Sequence, residues 1–237
     1  MNPNKTYYAD DRLNDCCAYC GGYAETEDHV PSRCFLDKPY PQDMPVVPCC
    51  HNCNHDFSKD EEYVSCLIDC MKAHTTNPDE IQREKTRKTL LHYSIGLKER
   101  IASQIRDFGG ETIYDIEKER FQKIMRKLAF GHLAYENDSL SWDNSTFNIS
   151  MWLLPEMSES QKQSFFKPYI GNLLPEVGSR GLERMELDGI NNEKSAFSSS
   201  WITVQKNRYS YCVSPDSNRV KFIIADYFAV EVRILEL

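Results

Sequence analysis

No run of apolar residues in this 237-residue chain approaches the roughly 18 that a membrane span requires, so no membrane is expected among its partners. The opening stretch, Met1 to Asp11, lacks the apolar core of a secretory signal, and the expected location is cytoplasmic. There is no internal repeat and no low-complexity tract. Positive charge is short: 28 Lys and Arg stand against 36 Asp and Glu, a net of −8, which argues against indiscriminate nucleic-acid binding. Cysteine is scarce in most of the chain, for only Cys212 of the ten lies beyond Cys70. In a reducing cytosol the nine clustered ones read as thiols or metal ligands rather than disulfides.

What is present is enough for a packed core, since 41% of the residues are hydrophobic. The charge is divided. Residues 1–80 carry 6 Lys/Arg against 15 Asp/Glu, whereas residues 81–130 carry 12 against 7. The remainder carries 10 against 14. A surface for a phosphate backbone is expected in 81–130, and a pair of solvated amphipathic helices is the plainer alternative.

Residues 1–15 read as a polar, loose leader. Thr26–Val30 and Pro45–Val47 read as short strands joined by a Pro-broken loop. Ser58-Lys-Asp-Glu61 has the form of a capping box, which predicts a helix start there and an end near His74–Asn77. Residues 79–107 read as helical with a break near Ser94–Gly96, ending at Gly109-Gly110. Lys118–Tyr135 is a further helix. Strands follow over Phe147–Leu154, Ser199–Gln205, Tyr209–Ser214, Val220–Ile224 and Phe228–Ile234, with a helix over Ser158–Phe166 capped by Ser158. Trp201, Tyr209, Tyr211, Phe222, Tyr227 and Phe228 are expected in the core, the alternative being a base-stacking platform. The fold class is α+β. The expected division is 1–76 as a metal-built module, 77–136 as a basic helical segment, and 137–237 as an α+β unit with a mixed or antiparallel sheet.

Two Cys-x2-Cys units, Cys17–Cys20 and Cys50–Cys53, offer four thiolates, the full tetrahedral set of a structural Zn²⁺. Gly21 follows the first unit and eases the backbone past the metal. Cys16 and Cys49 sit next door as alternative ligands. Between and beside the pairs stand Asp28, His29 and Asn54. Phosphodiester hydrolysis needs an activated water and neutralised phosphate charge. A neutral His can take the proton from water. A carboxylate and an amide suffice to hold Mg²⁺ or Mn²⁺, which prefers oxygen and keeps several waters. Asp28 and Asn54 suit the ligand roles and His29 the base. Asp60, Glu61 and Glu62 lie close in sequence, and Arg33 is a candidate phosphate contact or surface ion pair.

The order Cys17-x2-Cys20-Gly21, Asp28-His29-Val30-Pro31, Cys50-x2-Cys53-Asn54 resembles the HNH endonucleases of the zinc-containing ββα-metal kind, over roughly residues 16–72. The resemblance implies a zinc-clamped ββα module, His29 as general base, and Asp28 and Asn54 as ligands of a catalytic divalent cation. It implies a DNA substrate, with duplex, branched and single-stranded forms all open, and a setting in bacterial or phage defence. The Pro comes one place earlier than is usual, and Met44-Pro45-Val46-Val47-Pro48 lacks the Asn that many members carry there. Gln42 or Asn52 could substitute for that Asn, and His51 or His55 could assist. The acidic first 80 residues imply that residues 81–130, an activating protein partner or a homodimer must help to hold DNA. A non-catalytic zinc-ribbon module binding nucleic acid or protein is the alternative reading. A nuclease fold that has decayed into a protein-interaction subunit is another.

Overall fold

The computed structural model describes residues 5–6, 13–109, 111–139, 146–171, 174–191 and 194–235. Most of the expected leader, and Gly110, lie outside them. The protein is mixed α+β and forms two compact units: Met1–Asp56 with Met125–Leu237, and Phe57–Ile124. No helix among the described residues is long and apolar enough to cross a membrane.

The first unit opens with a small sheet of β1 (Lys5–Thr6), β2 (Thr26–His29) and β3 (Met44–Cys49), with β3 in the centre. β2 runs antiparallel to β3, in the register Thr26–Cys49, Asp28–Val47 and His29–Val46. This is the expected hairpin. α1 (His51–Ala73) follows after one residue. Ser58 therefore lies inside a helix rather than at its start, and the capping-box reading is corrected. The first turn finds its partners elsewhere: the His51 amide donates to Glu25 Oε2 at 3.0 Å, and the Cys53 amide points at Cys50 Sγ at 3.4 Å. A carboxylate and a cysteine sulfur accepting at the positive end of a helix do the work of a Ser cap.

The second unit holds the apolar stretch of α1, in which Tyr63–Met71 are buried. It also holds α2 (Glu84–Lys88), continued by a π turn over Thr89–Tyr93, and α3 (Ile95–Ala102). Ser94 adopts φ −139° between them, which is the expected break. The helical reading then overshoots: Ile105–Phe108 (β4) and Glu111–Tyr114 (β5) form an antiparallel hairpin instead. Inside this unit Arg83 donates to Asp69 at 3.0 Å and Ser65 at 2.9 Å, and Thr86 donates to Asp69 at 2.6 Å.

α4 (Lys118–Asn137) begins in the second unit and ends in the first. Its last half lies on a five-stranded antiparallel sheet ordered β10-β11-β12-β13-β6. The strands are β6 (Thr146–Leu153), β10 (Ile202–Gln205), β11 (Tyr209–Val213), β12 (Arg219–Ile224) and β13 (Phe228–Leu235). All five were legible from alternation. Tyr209, Tyr211 and Phe222 face α4: the His132 ring stacks on Tyr211 at 3.8 Å, and its Nε2 lies 2.9 Å from Tyr209 Oη. Burial drives the His132 pKa down to about 3. The other face carries Ile223 and Ala229 beneath Phe165 of α5 (Glu159–Phe166). Ser158 caps α5 in a full capping box, as expected. β7 (Ile170–Gly171), β8 (Glu186–Asn191) and β9 (Lys194–Ser198) form a separate small sheet that the sequence did not disclose.

Candidate metal centre

The knuckle before β2 is built around Gly21, which takes φ +72°, a conformation strained for any residue with a Cβ. Its amide donates to Cys17 O at 2.9 Å, and the Cys17 amide donates to Gly22 O at 2.7 Å. This turn aims Cys17 and Cys20 at Cys50, just before α1, and at Cys53 in its first turn. The four sulfurs all lie within 4.8 Å of one another. Zinc–sulfur bonds of about 2.3 Å in a tetrahedron give sulfur–sulfur edges of about 3.8 Å. Cys20 Sγ and Cys50 Sγ stand 3.8 Å apart. The group has the chemistry and spacing to hold a zinc ion, and it is the one cluster of three or more Cys, His or acidic ligands among the described residues.

Cys16 and Cys49 are outside this group. Cys16 is in a backbone bridge with Tyr23. Cys49 is fully buried, and its thiol is pushed far up by hydrogen bonding to Cys17 and by burial. The same hydrogen bond holds Cys17 down at about 4, against the opposing effect of burial. The Cys49 thiol donates to Cys50 O at 3.3 Å.

Asn54, one residue after the last cysteine, donates from Nδ2 to Thr26 Oγ1 at 3.3 Å. The Thr26 hydroxyl proton is committed to Cys49 O at 2.8 Å, so Oγ1 can only accept. That fixes the amide, and Asn54 Oδ1 is the oxygen turned away from Thr26. Thr26 and Asp28 are two apart on β2 and share a face, about 7 Å apart along the strand. Asp28 is buried, and its Oδ2 accepts from Tyr19 Oη at 2.8 Å and from Lys127 Nζ at 2.6 Å. Among the described residues neither bond involves Oδ1. His29 is half-buried and, by strand alternation, projects from the opposite face.

The structure therefore brings the four cysteines together and sets Asn54 beside the start of the strand that carries Asp28. It does not turn the His29 and Asp28 side chains to one face. Asp60 is held by Arg120 at 2.5 Å and Lys123 at 2.9 Å, and burial is outweighed by these cations, so its pKa falls. Glu61 and Glu62 sit within α1 rather than in a capping box. Arg33 stands over the Tyr40 ring at 5.5 Å. His51, Asn52 and His55 lie in the first turns of α1, and Gln42 lies in the loop before β3.

Lys127 is the residue that sequence reasoning missed. It comes from α4, its side chain is 2% exposed, and it also donates to Ser32 Oγ at 2.8 Å. Gly131, one turn on, lets the helix approach: a Cβ there would lie 2.9 Å from Val30 Cγ2 and 3.2 Å from Tyr19 Oη. The basic stretch is partly neutralised by ion pairs, some buried and some exposed. Arg83, Lys88, Arg100, Arg106, Arg120, Lys123 and Lys127 each meet a carboxylate. No family model, curated protein or solved structure matches the chain.

Proposed function

We propose that the chain is a metal-dependent endonuclease of the HNH kind, hydrolysing DNA phosphodiester bonds from a zinc-clamped ββα-metal module. The observation that carries this reading is the place of the cysteine cluster. It ties the knuckle before β2 to the first turn of α1, so that two strands and a helix, otherwise short of core, hold Asp28, His29 and Asn54 in one small module. The donor set suits a hard divalent cation. Asp28 and Asn54 would offer it oxygen ligands, and Asn54 bonds to Thr26, two residues from Asp28 along β2.

In this reading Asp28 and Asn54 hold Mg²⁺ or Mn²⁺. The cation, when bound, supplies charge neutralisation at the scissile phosphate and the leaving oxygen. His29, reaching the water from the strand edge, takes its proton as the nucleophile forms. The zinc cysteines do no chemistry, since four thiolates leave no open position.

A non-catalytic zinc module that binds a protein or nucleic-acid partner is the second reading. It is favoured by the buried pairing of Asp28 with Lys127 and by the ion pairing of the basic side chains. The test is incubation of the zinc-loaded protein with duplex, branched and single-stranded DNA in Mg²⁺ or Mn²⁺. The nuclease reading expects cleavage of at least one form, abolished when the added divalent cation is withdrawn while zinc stays bound. Binding without cleavage of any form would favour the second reading.

A further inference from the structure

We infer that the outer edge of β6 is a docking edge for a second copy of this chain, the two β6 strands pairing antiparallel so that two five-stranded sheets become one. The inference stands apart from the nuclease reading and holds with or without it. β6 and β10 are the two edges of the larger sheet. An edge strand presents unpaired N–H and C=O groups, and natural sheets blunt it with shortness, charge, proline, a bulge or a covering loop. β10 is blunted in three of these ways. It has four residues, and its register shifts between Thr203 and Gln205. The chain at Asp37 covers it: the Asp37 amide donates to Gln205 Oε1 at 2.8 Å, and Gln205 Nε2 donates to Asp37 O at 2.9 Å. β6 has none of these devices. Its eight residues, Thr-Phe-Asn-Ile-Ser-Met-Trp-Leu, include no charge and no proline. It pairs with β13 without a register shift, from Thr146–Leu235 to Leu153–Phe228. Among the described residues no strand pairs with its other side.

The strand's own pattern says what fits it. Phe147, Ile149, Met151 and Leu153 share the α4 face, where Arg126 stands over the Phe147 ring at 5.2 Å. Thr146, Asn148, Ser150 and Trp152 share the α5 face, where the Trp152 and Phe165 rings lie 5.7 Å apart. Residues directly opposite in an antiparallel pair point to one face and interact. A two-fold axis at Ile149, for instance, sets Phe147 against Met151 and Ile149 against itself on one face, and Asn148 against Ser150 on the other. The alternation is therefore self-complementary. No like charges meet along the strand, although each chain carries a net of −8. A charged strand from another protein would find no opposite charge on β6. Eight residues span about 27 Å, and with helix layers on both faces the edge offers on the order of 600 Å² per copy. That is the lower end of what specific dimers bury, so the dimer should come apart on dilution. With β10 covered, association closes at two chains.

The experiment is sedimentation velocity of the zinc-loaded full chain over a wide concentration series, with amide hydrogen exchange measured at its two ends. Wild type should pass from one chain to two as concentration rises and stop there, with the amides of 146–153 slowed in the dimer. Asn148→Lys and Met151→Lys change exposed positions of the edge. Each should weaken dimerisation about 10-fold or more, because the symmetry places every substitution in the interface twice. Either variant carries the test if the other does not fold. A single chain at every concentration would overturn the inference. Freely exchanging β6 amides would then assign the edge to a strand of another protein, and protected ones to a covering segment of the same chain. A dimer equally strong in both lysine variants, or one that slows amides elsewhere but not in β6, would also overturn it.

Discussion

Gly131 sits inside a helix, where glycine ordinarily costs about 1 kcal/mol relative to alanine. Here the sign should reverse, because an alanine Cβ would stand 2.9 Å from Val30 Cγ2. Gly131→Ala is expected to lose about 1–3 kcal/mol, as overpacked sites do, read as a lower urea midpoint at unchanged slope. A higher midpoint would show that the helix does not seat as closely as described. His132 gives a pH signature. Its folded pKa is near 3 and its unfolded value near 6.5, so between them only the unfolded chain binds the proton. Stability contributed by the neutral ring is fully present above pH 6.5 and is lost as pH falls towards 3, by about 1.4 kcal/mol per unit. His132→Phe should flatten the dependence between pH 5 and 6 by about one proton, and an identical slope would contradict the burial. At this scale Cys17, Cys20, Cys50 and Cys53 were legible as one group because the spacing within each pair is local. Lys127 and Gly131 were not, since their roles arise only when α4 is carried back against the knuckle, which no local spacing encodes.

Among elements, the two Cys-x2-Cys turns are the joints that matter most. Structural zinc is worth on the order of 10 kcal/mol to comparable small modules, more than β2, β3 and one helix turn could replace. Metal analysis of the purified chain should give one zinc per chain, retained in Cys16→Ser and lost in Cys17→Ser, because Cys17 belongs to the cluster and its neighbour does not. Zinc loss from Cys16→Ser with retention in Cys17→Ser would reassign the first turn. The same joint explains the misplaced start of α1. A Ser-x-x-Glu pattern is a sound cap signal, but the sulfur of Cys50 and the carboxylate of Glu25 accept from the first amides of a helix that starts seven residues earlier. The five strands of the larger sheet were legible because each alternates between the α4 face and the α5 face. The β4–β5 hairpin was hidden because its strands are four residues each and follow a helix without a break residue. Gly109, at φ +66°, follows β4, but the Gly109-Gly110 pair was read only as an end.

For the whole molecule, the basic stretch was expected to face a phosphate backbone, yet seven of its twelve cations meet a carboxylate, Lys88 and Arg106 in exposed pairs. The net of −8 then leaves little to attract DNA. Binding of a 20-base-pair duplex by the isolated chain should accordingly be weak and should decline only shallowly with salt, since few counterions are released. A steep salt dependence at low-nanomolar affinity would show that the remaining lysines and arginines form a continuous track. In the proposed chemistry the proton of the attacking water goes to His29. The decisive measurement is the single-turnover rate at which zinc-loaded wild type and His29→Ala, at equal zinc content and saturating Mn²⁺, cut a labelled branched DNA. The expected result is cleavage by wild type and a loss of about 100-fold or more in His29→Ala, the scale of a missing general base. Equal rates in the two proteins would contradict the account, and so would wild type leaving the DNA intact.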